Sequence, residues 1–355
     1  MVMAGRIRIG VVYGGRSSEH AVSVVSAGSV LAALDPAKYD VVTIGITASG
    51  AWLATEVDPA ELSFANRQLP AVATPPGAAT ELTVFGKDSA VAELETVDVV
   101  FPVLHGRNGE DGTVQGMLEL AGVPYVGSGV LASAAAMDKA VAKVLLTAAG
   151  LPVTPYRLVR RGQPVGVEQV AELGLPLFVK PARAGSSVGV SRVADYGELA
   201  EALALAYRHD DKVLIEQAMT GREIECGVLE DADGTVSASL PAEIRLRPGF
   251  DWYSFDAKYL DESSDFDIPP NAPAEHIATV REAACRAFRA LDCAGLARVD
   301  GFLAADGSFV VNELNTMPGF TPISMYPKMW AETGVPYAEL LDRLIATALA
   351  RRGRA

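Results

Sequence analysis

The hydrophobic pattern opens with a β-rich run, Arg6–Tyr13, which stops at Gly14-Gly15 and gives way to a helical stretch from about Ser18 to Leu34. Strand, glycine turn and helix form the first half of a doubly wound α/β unit, in which the helix N-terminal N–H groups face whatever binds there. Tyr39–Ile46 is a second strand, and Asp98–Leu104 is a buried-type strand running into the polar loop H-G-R-N-G-E-D-G, with a helix from about Thr113. A loop of that kind at the carboxyl end of a strand is where open α/β sheets place ligands. Between these strands, Glu56–Thr96 has no clear period and is expected to hold loops and short strands. Val123–Gly127 closes the unit as a short strand.

A helix predicted over Ala134–Ala149 ends at Gly150-Leu151-Pro152. Tyr156–Val159, Val167–Leu173 and Leu177–Lys180 then read strand, helix, strand. The small, glycine-rich stretch from Pro181 to Val190 follows, with Lys180 at its base. Such a loop can lie over phosphates through backbone N–H groups, although the helix and the G-K-[ST] ending of a P-loop are missing. Tyr196–Arg208 is an amphipathic helix, Val213–Ala218 and Glu223–Leu229 are strands, and more strand is expected near Val236–Leu246. Phe250–Pro269 has no sustained period but is rich in aromatics, as expected of a lid rather than a disordered tract. Helices are predicted over Pro273–Leu291, from near Ser324, and over Tyr337–Ala350.

The most informative pattern is Arg298–Asn315, R-V-D-G-F-L-A-A-D-G-S-F-V-V-N-E-L-N, in which Asp306-Gly307 separates two alternating apolar runs. That is a strong hairpin signal. With those two residues as the turn, residue 305 opposes 308, Asp300 faces Glu313, and Arg298 faces Asn315. The shared parity puts all four on one face, with Phe302, Ala304, Phe309 and Val311 farther along it. Asp300 and Arg298 could be an ordinary exposed ion pair, worth about 0–1 kcal/mol. Glu313 and Asn315, however, add a second acid and a second oxygen donor. Such a set suits Mg²⁺, which takes one or two carboxylates and leaves positions for phosphate oxygens.

Two other features have plain structural explanations. Gly14-Gly15 need only permit a tight turn and lacks the G-x-G-x-x-G spacing. Glu19, in the first helical turn, would complement the helix dipole.

Length and charge narrow the classes. At 355 residues, two or three compact units are expected. A formal net charge of −14 argues against a nucleic-acid or anionic-membrane partner. Cys226, Cys285 and Cys293 have no metal spacing, and no apolar stretch reaches the roughly 20 residues of a membrane span. With no signal-peptide organisation at the N-terminus, a cytoplasmic protein is expected.

Two separated lysines (Lys139, Lys180), a glycine loop and an acidic hairpin together resemble the ATP-grasp ligases. More closely, the chain resembles the D-alanine–D-alanine ligase family. The motifs that carry the likeness are G-G-R-S-S-E-H, H-G-R-N-G-E-D-G-T-V-Q-G, M-D-K, F-V-K-P-A-R-A-G-S-S-V-G-V, K-Y-L and N-E-L-N-T-M-P-G-F-T. Their order is the family's, and they span nearly the full length. Ala21 and Ala184 depart from it, standing where members commonly carry acids.

The resemblance implies an α/β N-terminal Rossmann-like, doubly wound domain (1–130) followed by an ATP-grasp fold with α+β lobes at 131–225 and 226–355. It implies ATP-dependent ligation of two D-alanines through a D-alanyl phosphate, for peptidoglycan precursor synthesis, with two Mg²⁺ (or Mn²⁺) and a homodimeric assembly. Lys139, Lys180, Glu216, Ala218, Met219, Glu223 and Lys258 would then bind ATP, and Asp300, Glu313 and Asn315 would hold the metals. Glu19, Ser186, Tyr259, Arg298 and Gly319 would be catalytic, and His105, Ser324 and Met325 would bind substrate. Three alternatives remain open: a D-alanine–D-lactate ligase, another carboxylate–amine ligase of this fold, and a nucleotide-binding regulator without turnover.

Overall fold

A computed structural model describes residues 5–55, 62, 96–246 and 264–351. Tyr259, Lys258 and the rest of the expected lid core lie outside these, as does nearly all of Glu56–Thr96.

Three sheets organise the described chain. In the first, β1 (Ile7–Gly14) pairs in parallel with β2 (Tyr39–Ile46) on one side and β4 (Val99–Val103) on the other, and β3 (Trp52–Thr55) forms the antiparallel edge. The chain departs from β1 in both directions, so the carboxyl ends of β1 and β4 flank a switch point, where such sheets place ligands. α1 (His20–Ala33) follows β1, with Gly14 and Gly15 both in the left-handed region as the turn requires. The strand expected over Val123–Gly127 does not form: only Tyr125 bridges Val100, after α2 (Thr113–Ala121).

The helix expected over Ala134–Ala149 is broken. α3 (Val130–Met137) ends at Asp138, whose extended backbone starts α4 (Lys139–Ala148) and whose carboxylate caps Ala140 and Val141 N–H. The break puts Lys139 at the first position of a new helix. A second sheet contains β5 (Tyr156–Arg160), β8 (Lys212–Gln217), β6 (Leu177–Pro181) and β7 (Ser191–Val193), backed by α5 (Leu199–Ala206). Val167–Leu173, expected as helix, forms only two short 3₁₀ turns.

The third sheet runs β12 (Ser264–Asp267), β11 (Ala242–Leu246), β9 (Arg222–Glu230), β13 (Leu296–Leu303), β14 (Phe309–Asn315), with β10 (Val236–Ala238) also on β9. A lobe boundary at 225/226 would cut β9, all of which pairs in this sheet; by sheet membership the break precedes Arg222. α6 (Ala274–Ala290) covers one face of the sheet with Ala284, Ala287 and Phe288 against Val299, Leu303 and Val311.

The chain then returns to its beginning. α7 (Met325–Glu332) and α8 (Tyr337–Arg351) pack with Phe320 on the first sheet, in one core with Val11, Phe101 and Tyr326. Phe101 and Phe320 meet edge to face at 5.6 Å, and burying a ring of that size contributes about 1.5–3 kcal/mol. Arg343–Asp231 and Lys38–Asp342, both at 2.6 Å, clamp α8 to the third and first sheets. The three sheets thus converge on one cleft.

Candidate active site

The hairpin β13–β14 supplies the cleft floor. Asp300 faces Glu313 and Arg298 faces Asn315, as the pattern requires, but the path from the turn differs. The loop has three residues, Ala305-Asp306-Gly307, with Ala304 opposite Ser308 and Gly307 in the left-handed region. A compensating bulge leaves Asn312 unpaired between Glu313 and Val311. Beyond the bulge the face parity of β14 flips, so Phe309 and Val311 lie in the hydrophobic core rather than beside Phe302. The bulged Asn312 instead accepts from Lys180 Nζ at 3.1 Å.

Across β9 the row extends further. Glu225 opposes Asp300, so Glu225, Asp300 and Glu313 stand in one line over three strands. Arg298 grips Asp300 with two bonds, Nε–Oδ1 2.7 Å and Nη2–Oδ2 2.6 Å, and its Nε lies 3.4 Å from Glu225. Arg298 and Asp300 side chains are only 13% and 10% exposed, so the weak solvated pair considered above does not describe them. Lys139 Nζ lies 3.1 Å from Glu313 and donates to Ala184 O at 2.8 Å. Burial works against the Lys139 charge, but Glu313, together with Glu216 and Glu19, outweighs it and the net shift is upward.

This donor set fits Mg²⁺. Two carboxylates and an amide share one face of a rigid ribbon, beside lysines able to meet a polyphosphate. Oriented to satisfy its neighbours, Asn315 accepts from Arg298 Nη2 and donates to Glu110 Oε1, each at 3.2 Å. Among the described residues no group of three or more His, Cys, Asp or Glu forms a closed metal cage. Mg²⁺ needs none, because it dehydrates reluctantly and completes its shell with phosphate and water.

The cleft roof comes from the glycine loop and α1. Ser186 Oγ donates to Glu19 Oε1 across 167 residues of chain, and Glu19 is 7% exposed. Its carboxylate makes no capping bond on α1 and turns instead to the Ser186 hydroxyl. A Cβ on Gly106 would come within 2.4 Å of Glu19 Oε2, and one on Gly185 within 2.6 Å. The acid is thus held between two glycines. Gly185→Ala should therefore displace Glu19 and raise KM for whatever substrate this acid holds by roughly tenfold, given that a 1 Å misplacement can cost about 10²-fold. Steady-state kinetics would check this; an unchanged KM would mean that Glu19 tolerates displacement.

At the far end, Gly319, Ser324 and Met325 line the same cleft as Glu19, Ser186, Lys139, Arg298, Glu313 and Asn315. Ser324 Oγ accepts from Thr321 N–H at 3.0 Å and sits where a Cβ on Gly319 would fall. His105 is placed otherwise. It is buried, with Nδ1 2.9 Å from Met317 O and Nε2 3.1 Å from Ser26 Oγ. Burial pushes it down to about 4, so it is neutral and braces the Met317–Phe320 loop from behind. Ala218 bonds Pro176 O through its N–H, and Glu223 opposes Phe302 on the site face of β9.

Besides Glu225, three residues escaped the sequence reading. Asn312 could be inferred only from the apolar spacing 309, 311, 314. Glu110 accepts from Gly106 N–H at 2.7 Å and Met317 N–H at 3.2 Å, and burial, then Glu19, raise its pKa. Lys143, fully buried, lies 3.1 Å from Glu216, while Lys180 takes the other oxygen at 2.7 Å. The i, i+4 spacing Lys139/Lys143 was the available signal.

Comparison with known proteins agrees with this architecture. A family model described as the D-ala D-ala ligase C-terminus matches residues 145–346, and one for the N-terminus matches residues 8–128. A D-alanine–D-alanine ligase of Nocardia farcinica is 56% identical, covering 98% of this chain and 99% of its own. Among solved structures, the D-alanine–D-alanine ligase of Coxiella burnetii superposes with TM-score 0.81 at 33% identity, covering 99% of this chain and 96% of that one. The Bacillus anthracis enzyme complexed with ATP gives 0.75 at 30%, covering 98% and 99%.

Proposed function

This chain belongs to the D-alanine–D-alanine ligase family, and on that premise we propose how its cleft joins two D-alanines at the expense of ATP. The observation that carries the reading is the convergence of Glu19–Ser186, Lys139–Glu313 and Arg298–Asp300 on one cleft bordered by Gly319. Cations, acids able to ligate a metal and an acid able to hold an ammonium group meet there.

The first D-alanine carboxylate attacks the γ-phosphorus of ATP, forming D-alanyl phosphate and ADP. Lys139 and Lys180 would meet the phosphates as point charges, with Glu216, Ala218 and Met219 at the adenine and Glu223 at the ribose. Asp300, Glu313 and Asn315 would hold Mg²⁺, which when bound neutralises charge on the transferring phosphoryl group. Glu19 would bind the first ammonium, Ser186 would fix Glu19, and Ser324 with Met325 would border the second substrate. The second amine then attacks the acyl carbon and phosphate departs. Arg298 and the Gly319 N–H would stabilise the oxyanion. His105, neutral behind Met317, would hold the loop that carries Gly319. Lys258 and Tyr259 would close over the cleft and exclude water from the acyl phosphate.

The direct test is ADP release with D-alanine, with L-alanine, and with D-alanine plus D-lactate. Turnover with D-alanine alone is expected, and equal turnover with L-alanine would overturn the reading. Among the described residues no helix is long and apolar enough to cross a membrane.

Acceptor choice gives a further prediction. A free α-amino group titrates near pH 8, so an amine acceptor arrives largely as ammonium at neutral pH. Tyr259→Phe should retain dipeptide synthesis and gain measurable D-alanyl–D-lactate, most visibly at low pH. Product analysis of both proteins from about pH 6 to 9 checks this; identical ratios would remove Tyr259 from acceptor choice.

A further inference from the structure

Lys143 has no part in the reaction just described, yet it is a lysine with no solvent exposure. Its ammonium lies 3.1 Å from Glu216 Oε1 and donates to Thr154 O at 3.3 Å, with the Tyr156 ring centroid 5.6 Å away. Glu216, 3% exposed, has Lys180 on its other oxygen at 2.7 Å. Around this one carboxylate, the facing charges come from α4 and β6.

The two lysines differ in what else they can do. Lys180 also reaches Asn312 of the hairpin and stands at the base of the glycine loop, so on the proposed reading an arriving polyphosphate competes for its charge. Lys143 is enclosed, its remaining neighbours being a carbonyl and a ring. A buried carboxylate left without a cation is strongly disfavoured, so loss of Lys143 would draw the Glu216 side chain toward Lys180. A carboxylate presents only acceptors, so its position decides whether a donor on the base finds it.

We infer that Lys143 is a positioning residue for base selectivity: it holds the Glu216 carboxylate in place while Lys180 turns to phosphate, so that the site accepts a hydrogen bond from the 6-amino group of adenine and rejects a 6-oxo purine. The inference rests on the proposed place of Glu216 at the adenine.

The test compares kcat/KM for ATP and inosine triphosphate, at saturating D-alanine and Mg²⁺, in the wild type, K143M, E216Q and the double variant. Nucleoside diphosphate release is the readout. K143M is expected to lower the ATP:ITP ratio tenfold or more while KM for D-alanine stays within twofold. E216Q should compress the ratio similarly, because a carboxamide can serve either base. K143M added to E216Q should compress it no further. K143Q, which keeps a donor for Thr154 O and removes the charge, is measured alongside in case the apolar variant folds poorly. If E216Q leaves the ratio intact, Glu216 does not read the base and both readings fall. If E216Q compresses it but K143M and K143Q do not, the role of Lys143 alone is overturned. An equal effect of K143M in both backgrounds would show that Lys143 shapes the site independently of Glu216, and the inference would fall.

Discussion

Turnover should fall to background when Glu313 is replaced by Gln, with the fold retained. Glu313 is the acid of the hairpin that Lys139 holds at 3.1 Å and that stands directly opposite Asp300. Its removal leaves Asp300 as the only carboxylate among the three donors, and Asp300 is already gripped by both arms of Arg298. A dication that must displace Lys139 and Arg298 from two acids has little to gain from one acid and two amides. The substitution is isosteric, and Glu313 sits on the polar face of β14, away from Phe309, Val311 and Leu314 in the core. Thermal unfolding should therefore shift by no more than the few degrees that about 1 kcal/mol produces in a domain of this size. Two measurements settle it: ADP release across a Mg²⁺ titration, and the unfolding midpoint. Near-normal turnover at ordinary Mg²⁺ would take the hairpin out of the active site.

Arg298→Ala should slow turnover by roughly 10²- to 10³-fold, the loss typical of removing one preorganised donor at a developing oxyanion. Binding of ATP should change far less. Arg298 lies between Asp300 and Glu225, so its removal also leaves two nearly buried acids, 10% and 5% exposed, without their cation. Removing one partner of such a buried pair costs about 3–5 kcal/mol, so the variant is expected to be less stable as well as slow. Arg298→Lys separates the two losses. It restores a charge for Asp300 and Glu225 but not the planar fork that can hold an acid and face an oxyanion together. Stability should recover in Arg298→Lys while turnover stays low. If ATP affinity instead collapsed in Arg298→Ala while turnover at saturation survived, Arg298 would be a nucleotide-positioning residue.

Local sequence was enough for many of the elements, though not for Val123–Gly127 or Val167–Leu173, and for the opposed pairs Asp300–Glu313 and Arg298–Asn315, because strand alternation and glycine turns are short-range properties. It placed β1, α1, β2, β4 and α8 closely. It read α3 and α4 as one helix, since nothing in an alanine-rich periodic run reveals that Asp138 will cap a second helix rather than continue the first. The hairpin shows how a correct pairing can rest on a wrong path. A three-residue turn shifts the register by one, the bulge at Asn312 shifts it back, and only the segment between them has its faces exchanged.

What tertiary structure alone decided is the set of partners. Ser186 meets Glu19, Lys139 meets Glu313, and Lys143 meets Glu216 from elements far apart in the chain. Periodicity says which side of an element is polar but not which element will face it. His105 illustrates the limit. Its loop announced a ligand site, yet burial against Ser26 and Met317 made it a neutral brace behind the cleft. The sequence determined which residues could do chemistry and which of them share a strand face. Packing of three sheets around one cleft, an effect of hydrophobic burial with no local signature, decided which charges came together and how far each is shielded from water.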